Sequence, residues 1–163
     1  MFATTLEAAF NDQIQKEFYS SYLYLAMAAH FEAANLPGFA AWMKAQAEEE
    51  RSHAMKLWDY VYDRGGSVQL QALAQPPAGF GRPLEAFAAV LAHEQKVTAS
   101  ISALYTLAGK ENDVAAQIFL QWFITEQVEE EKTVTELIEQ LKMSGDQAFG
   151  VLFMDKHVLG ARK

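Results

Sequence analysis

The chain has 163 residues, of which 51% are apolar and 21% are charged, and its formal net charge is -8. This length and composition predict a single globular domain spanning residues 1–163, with enough chain to bury a sizeable core. The acidic balance argues against nucleic acid as a partner, because phosphates demand a basic surface. The absence of cysteine excludes disulfides and thiolate metal sites. We find no secretory signal pattern and no apolar run of about 20 residues, so we expect no membrane association and, by default, a cytoplasmic location.

Helix-breaking residues divide the sequence into four long helical segments and one short one. The breaks are the run Asn35 to Gly38, the pair Gly65-Gly66, a stretch rich in proline and glycine that ends at Pro83, and Gly145. The predicted helices run from a cap at Thr4 or Thr5 to about Ala34, from Phe39 to Arg64, from Leu84 to Gly109, from the cap Asp113 to Met143, and from Gln147 to Leu159.

The lengths of the links predict the topology. Short breaks after the first and third helices make antiparallel neighbours. The middle link of roughly 17 residues reaches more than about 50 Å when extended, whereas a helix of 26 residues is about 39 Å long. The link can therefore run the length of the bundle and make helices two and three parallel. We predict an all-α, ferritin-like four-helix bundle over about 5–143, with one long crossover and a short fifth helix over about 147–159.

Each long helix carries an apolar stripe at three- and four-residue spacing, with polar residues near the middle of the stripe. In chain order these polar residues include Glu17, Glu50, His53, Glu94, Gln127 and Glu130. A single glutamate of this kind is readily explained as a side chain that reaches water from the edge of a stripe. Four in one core are costly, because buried carboxylates lose hydration and repel one another.

A pair of divalent cations bridged by these carboxylates resolves that cost, although protonation would also reduce it. Glu50-x-x-His53 places a carboxylate and an imidazole one turn apart, as in di-iron bundles. Taken alone this pair often arises by chance on a charged helix. Together with the three other glutamates it predicts a metal site, and oxygen ligands with one nitrogen suit iron or manganese better than structural zinc.

Other candidate residues surround this site. Glu126, Glu129 and Glu130 are spaced by three and four, and Glu49 adjoins Glu50, so these residues form either a solvated acidic face or an additional cation site. Tyr24 is either a core residue or a redox-active one. We expect packing roles for Trp42, Trp58 and Trp122, and structural or solvent-facing roles for His30, His93 and His157.

Over nearly its whole length the chain resembles the prokaryotic non-haem ferritins. The resemblance is carried by Glu17 within QKEFYSSYLYLAM, Glu50 and His53 within AEEERSHAMKLWDYV, Glu94 within AHEQ, and Gln127 and Glu130 within FLQWFITEQVEEEK. It implies a ferroxidase centre in which Glu17, Glu50 and His53 hold one iron, while Glu50, Glu94 and Glu130 hold a second with Gln127 close by.

The resemblance also implies a third iron site at Glu49, Glu126, Glu129 and Glu130, and a Tyr24 that donates an electron. It implies a homo-oligomeric shell of 24 subunits, with the last helix at the four-fold axis. Such a protein would take up Fe(II), oxidise it with dioxygen or hydrogen peroxide, and store a ferric mineral.

The sequence departs from related families at three points. Bacterioferritins have a second Glu-x-x-His where this chain has Gln127 to Glu130, and a haem-ligating Met where it has Arg51, so we expect no haem. Animal ferritins line a three-fold channel with carboxylates at the positions of Gln117 and Leu120, so that iron entry route is in doubt. Rubrerythrins add a cysteine-rich iron domain that this chain lacks. A rubrerythrin-type peroxidase and a non-catalytic bundle are the alternative functions.

Overall fold

The protein is described here by a computed structural model that covers residues 2–158. It contains the helices α1 (Thr4–Ala33), α2 (Pro37–Asp63), α3 (Pro83–Lys110), α4 (Val114–Ser144) and α5 (Ala148–His157), and the described residues form no strand. The predicted all-α architecture is confirmed. The predicted ends at Ala34, Arg64, Gly109 and Met143 each differ by one residue from the observed ends, and Leu159 lies outside the described residues.

The first helix begins without the predicted threonine cap. Its N-cap is Ala3, which makes no side-chain capping bond, and Thr4 and Thr5 already lie inside the helix. Phe2 is buried against Phe10, with ring centroids 5.4 Å apart. This aromatic packing fixes where the chain enters the helix, so the predicted cap at Thr4 or Thr5 is wrong.

Two helices begin at a proline, slightly earlier than predicted. α2 begins at Pro37 rather than Phe39, and α3 begins at Pro83 rather than Leu84. Proline suits the first helical position, because its φ is already helical and no N–H is needed there. The predicted cap of α4 is confirmed, since the Asp113 carboxylate accepts a backbone N–H of the first turn at 2.9 Å.

The link between α2 and α3 lies along α1. Near the start of α1, Asn11 donates to the carbonyl of Ser67 and accepts from the backbone N–H of Gln69. Near the end of α1, His30 is hydrogen-bonded to the carbonyl of Gly81 at 2.7 Å. The link therefore runs the length of the bundle, and the predicted parallel arrangement of α2 and α3 is confirmed.

The core consists of two apolar clusters with a polar layer between them. One cluster contains Met27, Phe39 and Phe87, and the other contains Phe10 and Leu57. The stripe residues predicted at the middle of each long helix lie between these clusters. None of the described helices is long and apolar enough to cross a membrane.

The short fifth helix packs against the beginning of α2. Buried Asp155 accepts a hydrogen bond from the backbone N–H of Phe39 at 2.9 Å. A Cβ atom on Gly38 would lie only 1.6 Å from the carbonyl oxygen of Asp155. Glycine at this position therefore permits the close approach of α5, and a carboxylate from α5 satisfies one of the free N–H groups at the start of α2.

Candidate metal centre

Five buried side chains from the four long helices form the polar layer at the middle of the bundle. They are Glu17 from α1, Glu50 and His53 from α2, Glu94 from α3 and Glu130 from α4, each between 0% and 6% exposed. Each occupies the core-facing stripe of its helix, so helical periodicity alone directs these polar groups inward. The structure therefore brings together five of the candidate ligands that the mid-stripe pattern predicts.

The carboxylates divide into two groups that share one residue. Glu17, Glu50 and His53 form the first group, and Glu50, Glu94 and Glu130 form the second; within each group one potential ligand atom per residue lies within 4.8 Å of the others. Two cations placed in these groups would have Glu50 in common. This is the arrangement of a carboxylate-bridged metal pair.

Two oxygen atoms of the layer lack a hydrogen bond. They are Oε2 of Glu17 and Oε2 of Glu50, and the second lies 3.4 Å from Nδ1 of His53. A buried oxygen without a partner costs free energy that a bound cation would recover. Both residues belong to the first group, so unsatisfied oxygens lie where a cation is expected.

Two buried glutamines hold the other oxygens of these carboxylates. Nε2 of Gln13 donates to Oε1 of Glu17 at 2.8 Å. Nε2 of Gln46 donates to Oε1 of Glu50 at 3.0 Å and to Oε2 of Glu130 at 2.9 Å. These amides orient the carboxylates, because each fixes one oxygen and thereby the plane of the group.

Glu94 is held by a tyrosine and a third glutamine. The hydroxyl of Tyr24 donates to Oε1 of Glu94, and Nε2 of Gln127 donates to Oε2 at 3.1 Å and to the hydroxyl of Thr98 at 3.2 Å. Tyr24 is fully buried. Gln127 thus contacts a ligand through its amide N–H, and Tyr24 lies in direct contact with the candidate centre.

Burial raises the pKa of every carboxyl group in the layer, and mutual repulsion adds to the effect for three of them. The pKa of Glu17 rises through burial and then through the charge of Glu50, and the pKa of Glu50 rises through burial and then through Glu94. Burial also raises the pKa of Glu94. The pKa of Glu130 rises to about 8 through burial, then through Glu94 and another nearby carboxylate. A bound cation would lower these pKa values, since the cation binds the charged form of each carboxylate.

A third group of potential ligands lies beside the first two. It consists of Glu49, His53, Glu126 and Glu130, again with ligand atoms within 4.8 Å of one another, and two of these residues are partly exposed. Glu129, which the sequence placed in this cluster, is exposed and is not a member of the group. His53 joins it instead, because one helical turn separates His53 from Glu49.

The three tryptophans have different environments. Trp42 is fully buried in the core and Trp58 is partly buried, which agrees with the predicted packing roles. Trp122 is 40% exposed, and its ring centroid lies 5.4 Å from that of His53. Nζ of Lys56 lies 4.4 Å from the centre of the Trp122 ring. Trp122 therefore packs against a candidate ligand rather than in the apolar core.

None of the three remaining histidines belongs to a metal-binding group among the described residues. His93 is hydrogen-bonded to Ser20 at 2.7 Å, and burial followed by the charge of Lys96 lowers its pKa to about 4. His30 anchors the crossover, and His157 is exposed on α5. These positions agree with structural and solvent-facing roles.

The structure also shows the surroundings of three positions that distinguish related families. Arg51 is exposed and paired with Glu48 on the same helix at 2.6 Å. Leu120 is fully buried in the apolar core, and Gln117 is only partly exposed. Leu120 therefore offers neither a carboxylate nor an exposed surface at the position where animal ferritins carry a channel ligand.

Sequence reasoning missed the residues that orient the carboxylates. Gln13 and Gln46 received no role in the sequence-based prediction, although each precedes a site glutamate by four residues. That spacing places an amide and a carboxylate on the same helical face, and it is the signal that could have identified them. Thr98 has no comparable signal, because its contact with Gln127 joins two different helices.

A four-helix bundle with one long crossover, and with glutamates and a Glu-x-x-His pair in its core, defines the class of ferritin-like proteins. Comparison with known proteins agrees with this class. The family model described as "Ferritin-like domain" matches residues 7–144. The chain is 42% identical to a bacterial non-heme ferritin of Bacteroides fragilis, over 99% of this chain and 100% of that protein.

Further relatives extend the comparison to other organisms and to solved structures. A bacterial non-heme ferritin of Staphylococcus aureus is 37% identical, over 99% of this chain and 97% of that protein. An open-pore ferritin from the archaeon Archaeoglobus fulgidus superimposes with a TM-score of 0.95 at 43% identity, covering 97% of this chain and 98% of that chain. The chain belongs to the ferritin family.

Proposed function

We propose that this protein is an iron-storage ferritin subunit whose polar layer binds two ferrous ions and oxidises them. The observation that carries the proposal is the pair of buried ligand groups that share Glu50. Two oxygens without hydrogen bonds, on Glu17 and Glu50, support it further. A purely structural bundle would have no reason to bury this many acidic side chains at the centre of its core.

The chemistry follows from the ligand set. Two ferrous ions held close together each give one electron to dioxygen, which takes up two protons and forms hydrogen peroxide and two ferric ions. Anionic oxygen ligands stabilise ferric iron more than ferrous iron, so the carboxylates supply driving force as well as binding. Glu50 would bridge the ions, His53 and Glu17 would complete one position, and Glu94 and Glu130 the other.

Three neighbouring features have proposed roles in the same reaction. Tyr24 would give an electron to the oxidising centre, and the bond from its hydroxyl to Glu94 supports this role. Gln127 would act beside the second iron, and its contact with Glu94 supports a role in holding that ligand. The group containing Glu49 and Glu126 would bind a third iron. Glu129 lies outside this group, and we assign it no iron-binding role.

We further propose that the subunits assemble into a hollow shell, of 24 copies as is usual in the family, in which the ferric product is stored. The exposed apolar side chains of α5 support assembly, since Phe149 is 83% exposed and Phe153 is 51% exposed. Apolar side chains of this size are rarely left in water without a partner surface.

Aerobic addition of ferrous iron to the metal-free protein tests both proposals. We expect a fast oxidation phase that saturates at two ferrous ions per subunit in stopped-flow absorbance, followed by slower growth of a mineral. Native mass measurement before and after loading gives the number of subunits and the retained iron. Much faster reaction with hydrogen peroxide than with dioxygen, without mineral, would instead indicate a peroxidase of the rubrerythrin type.

A further inference from the structure

A chain of hydrogen bonds connects the polar layer to the surface between α1 and α3. Nζ of Lys16 donates to Oγ of Ser100 at 2.7 Å, and Oγ of Ser100 donates to Oε1 of Gln13 at 2.5 Å. Nε2 of Gln13 then donates to Oε1 of Glu17 at 2.8 Å. Three hydrogen bonds thus lead from an exposed ammonium group to a buried carboxylate of the candidate centre.

The direction of each bond is set by the lysine. An ammonium group can only donate, so Ser100 accepts from Lys16 and its own hydroxyl hydrogen remains available for Gln13. The amide oxygen of Gln13 must therefore face Ser100, and its N–H₂ group must face Glu17. An ionised Glu17 carboxylate can only accept, so it favours the same orientation, and the bond from Ser100 adds a second partner that holds the amide in it.

The orientation of the Gln13 amide affects the candidate metal centre, because Gln13 is buried beside Glu17. Gln13 is 1% exposed, whereas Lys16 is exposed on the wall of a groove of about 410 Å³ that is also lined by Ser100. With Oε1 of Glu17 bound to the amide, Oε2 is the oxygen left without a hydrogen bond. The chain therefore selects which oxygen of Glu17 is available to a cation.

We propose that Gln13 is a positioning residue for Glu17, and that Ser100 and Lys16 hold its amide in the required orientation. This inference rests on the proposed function, because it assigns Glu17 to one cation of the pair. It predicts a selective effect. Loss of the chain weakens the cation held by Glu17, Glu50 and His53, and leaves the cation held by Glu50, Glu94 and Glu130 nearly unchanged.

Titration of the metal-free assembled protein with Zn²⁺ by calorimetry tests the proposal. We expect Ser100→Ala to weaken one Zn²⁺ per subunit by about 3- to 10-fold, and Gln13→Leu to weaken it by about 10- to 100-fold, the range typical of lost contacts to a metal ligand. Lys16→Met should have a smaller effect of the same kind. Ser100→Thr keeps a hydroxyl and should bind Zn²⁺ with wild-type affinity. Ser102→Ala, on the exposed face of the same helix, is the matched control.

The outcomes separate the possible explanations. Wild-type affinity for both cations in Ser100→Ala and Gln13→Leu would overturn the positioning role, as would equal weakening of both cations together with a lower melting temperature. Failure of the wild-type protein to bind two Zn²⁺ ions would overturn the proposed function and this inference with it. If the wild type binds two Zn²⁺ ions and the variants bind both with unchanged affinity, this inference alone is overturned.

Discussion

Glu50 is the residue on which both ligand groups depend, because it belongs to each of them. We expect Glu50→Ala to slow the fast ferrous oxidation phase by about 100-fold or more, since loss of contacts to a ligand alone typically costs 10- to 100-fold. The variant should still fold and assemble, because it also removes a buried charge. Stopped-flow oxidation at two ferrous ions per subunit measures the effect.

Glu48→Ala is the matched control for this substitution. Glu48 lies two residues away on the same helix, and it is exposed and paired only with Arg51 at the surface. The Glu48→Ala protein should oxidise iron at the wild-type rate. A Glu50→Ala protein that does the same would contradict the bridged pair.

Glu126 and Glu129 provide a second comparison, because they lie three residues apart but only Glu126 belongs to the third ligand group. We expect Glu126→Ala to leave the first two ferrous ions per subunit oxidised at the normal rate, and to change the number of ferrous ions oxidised per dioxygen afterwards. Glu129→Ala should leave both quantities unchanged. Simultaneous oxygen consumption and iron oxidation measurements give the ratio, and equal behaviour of the two variants would refute the third site as defined here.

The charged candidate ligands were predicted from sequence, whereas the neutral residues that orient them were not. Burying a glutamate in an apolar stripe costs free energy that requires an explanation, so Glu17 and Glu94 were identified as candidate ligands. Gln13 and Gln46 carry no charge, and a glutamine at a stripe position is compatible with many structures. Their bonds to Glu17 and Glu50 follow helical spacing, but the bonds of Gln13 with Ser100 and of Gln46 with Glu130 join different helices, which periodicity does not specify.

At the scale of secondary structure, α5 is fixed to α2 by one buried carboxylate. Asp155→Ala would remove the acceptor for the backbone N–H of Phe39 and leave that group unsatisfied. We expect a loss of about 1–2 kcal/mol in stability, with faster hydrogen exchange in residues 148–157. Asp155→Asn keeps an acceptor oxygen and should lose less, and Lys156→Ala on the exposed side of α5 is the control. Unchanged exchange in Asp155→Ala would show that apolar packing alone holds α5.

The helices themselves were well predicted, whereas the first residues of α1, α2 and α3 were not. The interiors follow from an apolar period sustained over many turns, which a single sequence shows clearly. The first residue of a helix depends on which of several nearby contacts is the most favourable. At α1 the burial of Phe2 decides the start, and at α2 Pro37 and the contact with α5 decide it together. Phe2 also packs against Tyr60 of α2, and Asp155 contacts Phe39, so these contacts join distant parts of the chain. Ala3 as N-cap and Asp155 as an acceptor therefore could not be anticipated.

At the scale of the whole molecule, the polar layer divides the core and opposes folding when no metal is bound. Its carboxyl groups ionise less readily in the folded protein than in the unfolded chain, because burial and mutual repulsion disfavour the charged forms. The apolar clusters on either side must offset this cost. A divalent cation removes it, so the site couples metal binding to the stability of the entire bundle.

This coupling predicts how the stability of the metal-free protein depends on pH. The pKa of Glu130 is about 8 in the folded state against 4.5 as its ordinary value, so the folded protein holds the extra proton between these limits. The stability from this group is fully present below about pH 4.5 and is lost as pH rises through about 8, with a slope of up to about 1.4 kcal/mol per pH unit. We therefore expect the melting temperature of the metal-free protein to fall from pH 5.5 to 8.5 at constant protein concentration.

Glu130→Gln and Zn²⁺ distinguish this effect from general charge repulsion. The variant cannot ionise at position 130, so its metal-free form should melt higher than the wild type at pH 8.5 and show a shallower decline with pH. Saturating Zn²⁺ should raise the melting temperature of the wild type most at high pH, because the cation binds the ionised carboxylates, and it should raise that of Glu130→Gln less. Glu136→Gln, an exposed substitution on the same helix, should follow the wild type throughout. A Glu130→Gln protein with the wild-type pH slope and the full response to Zn²⁺ would show that Glu130 neither titrates in the core nor binds the cation.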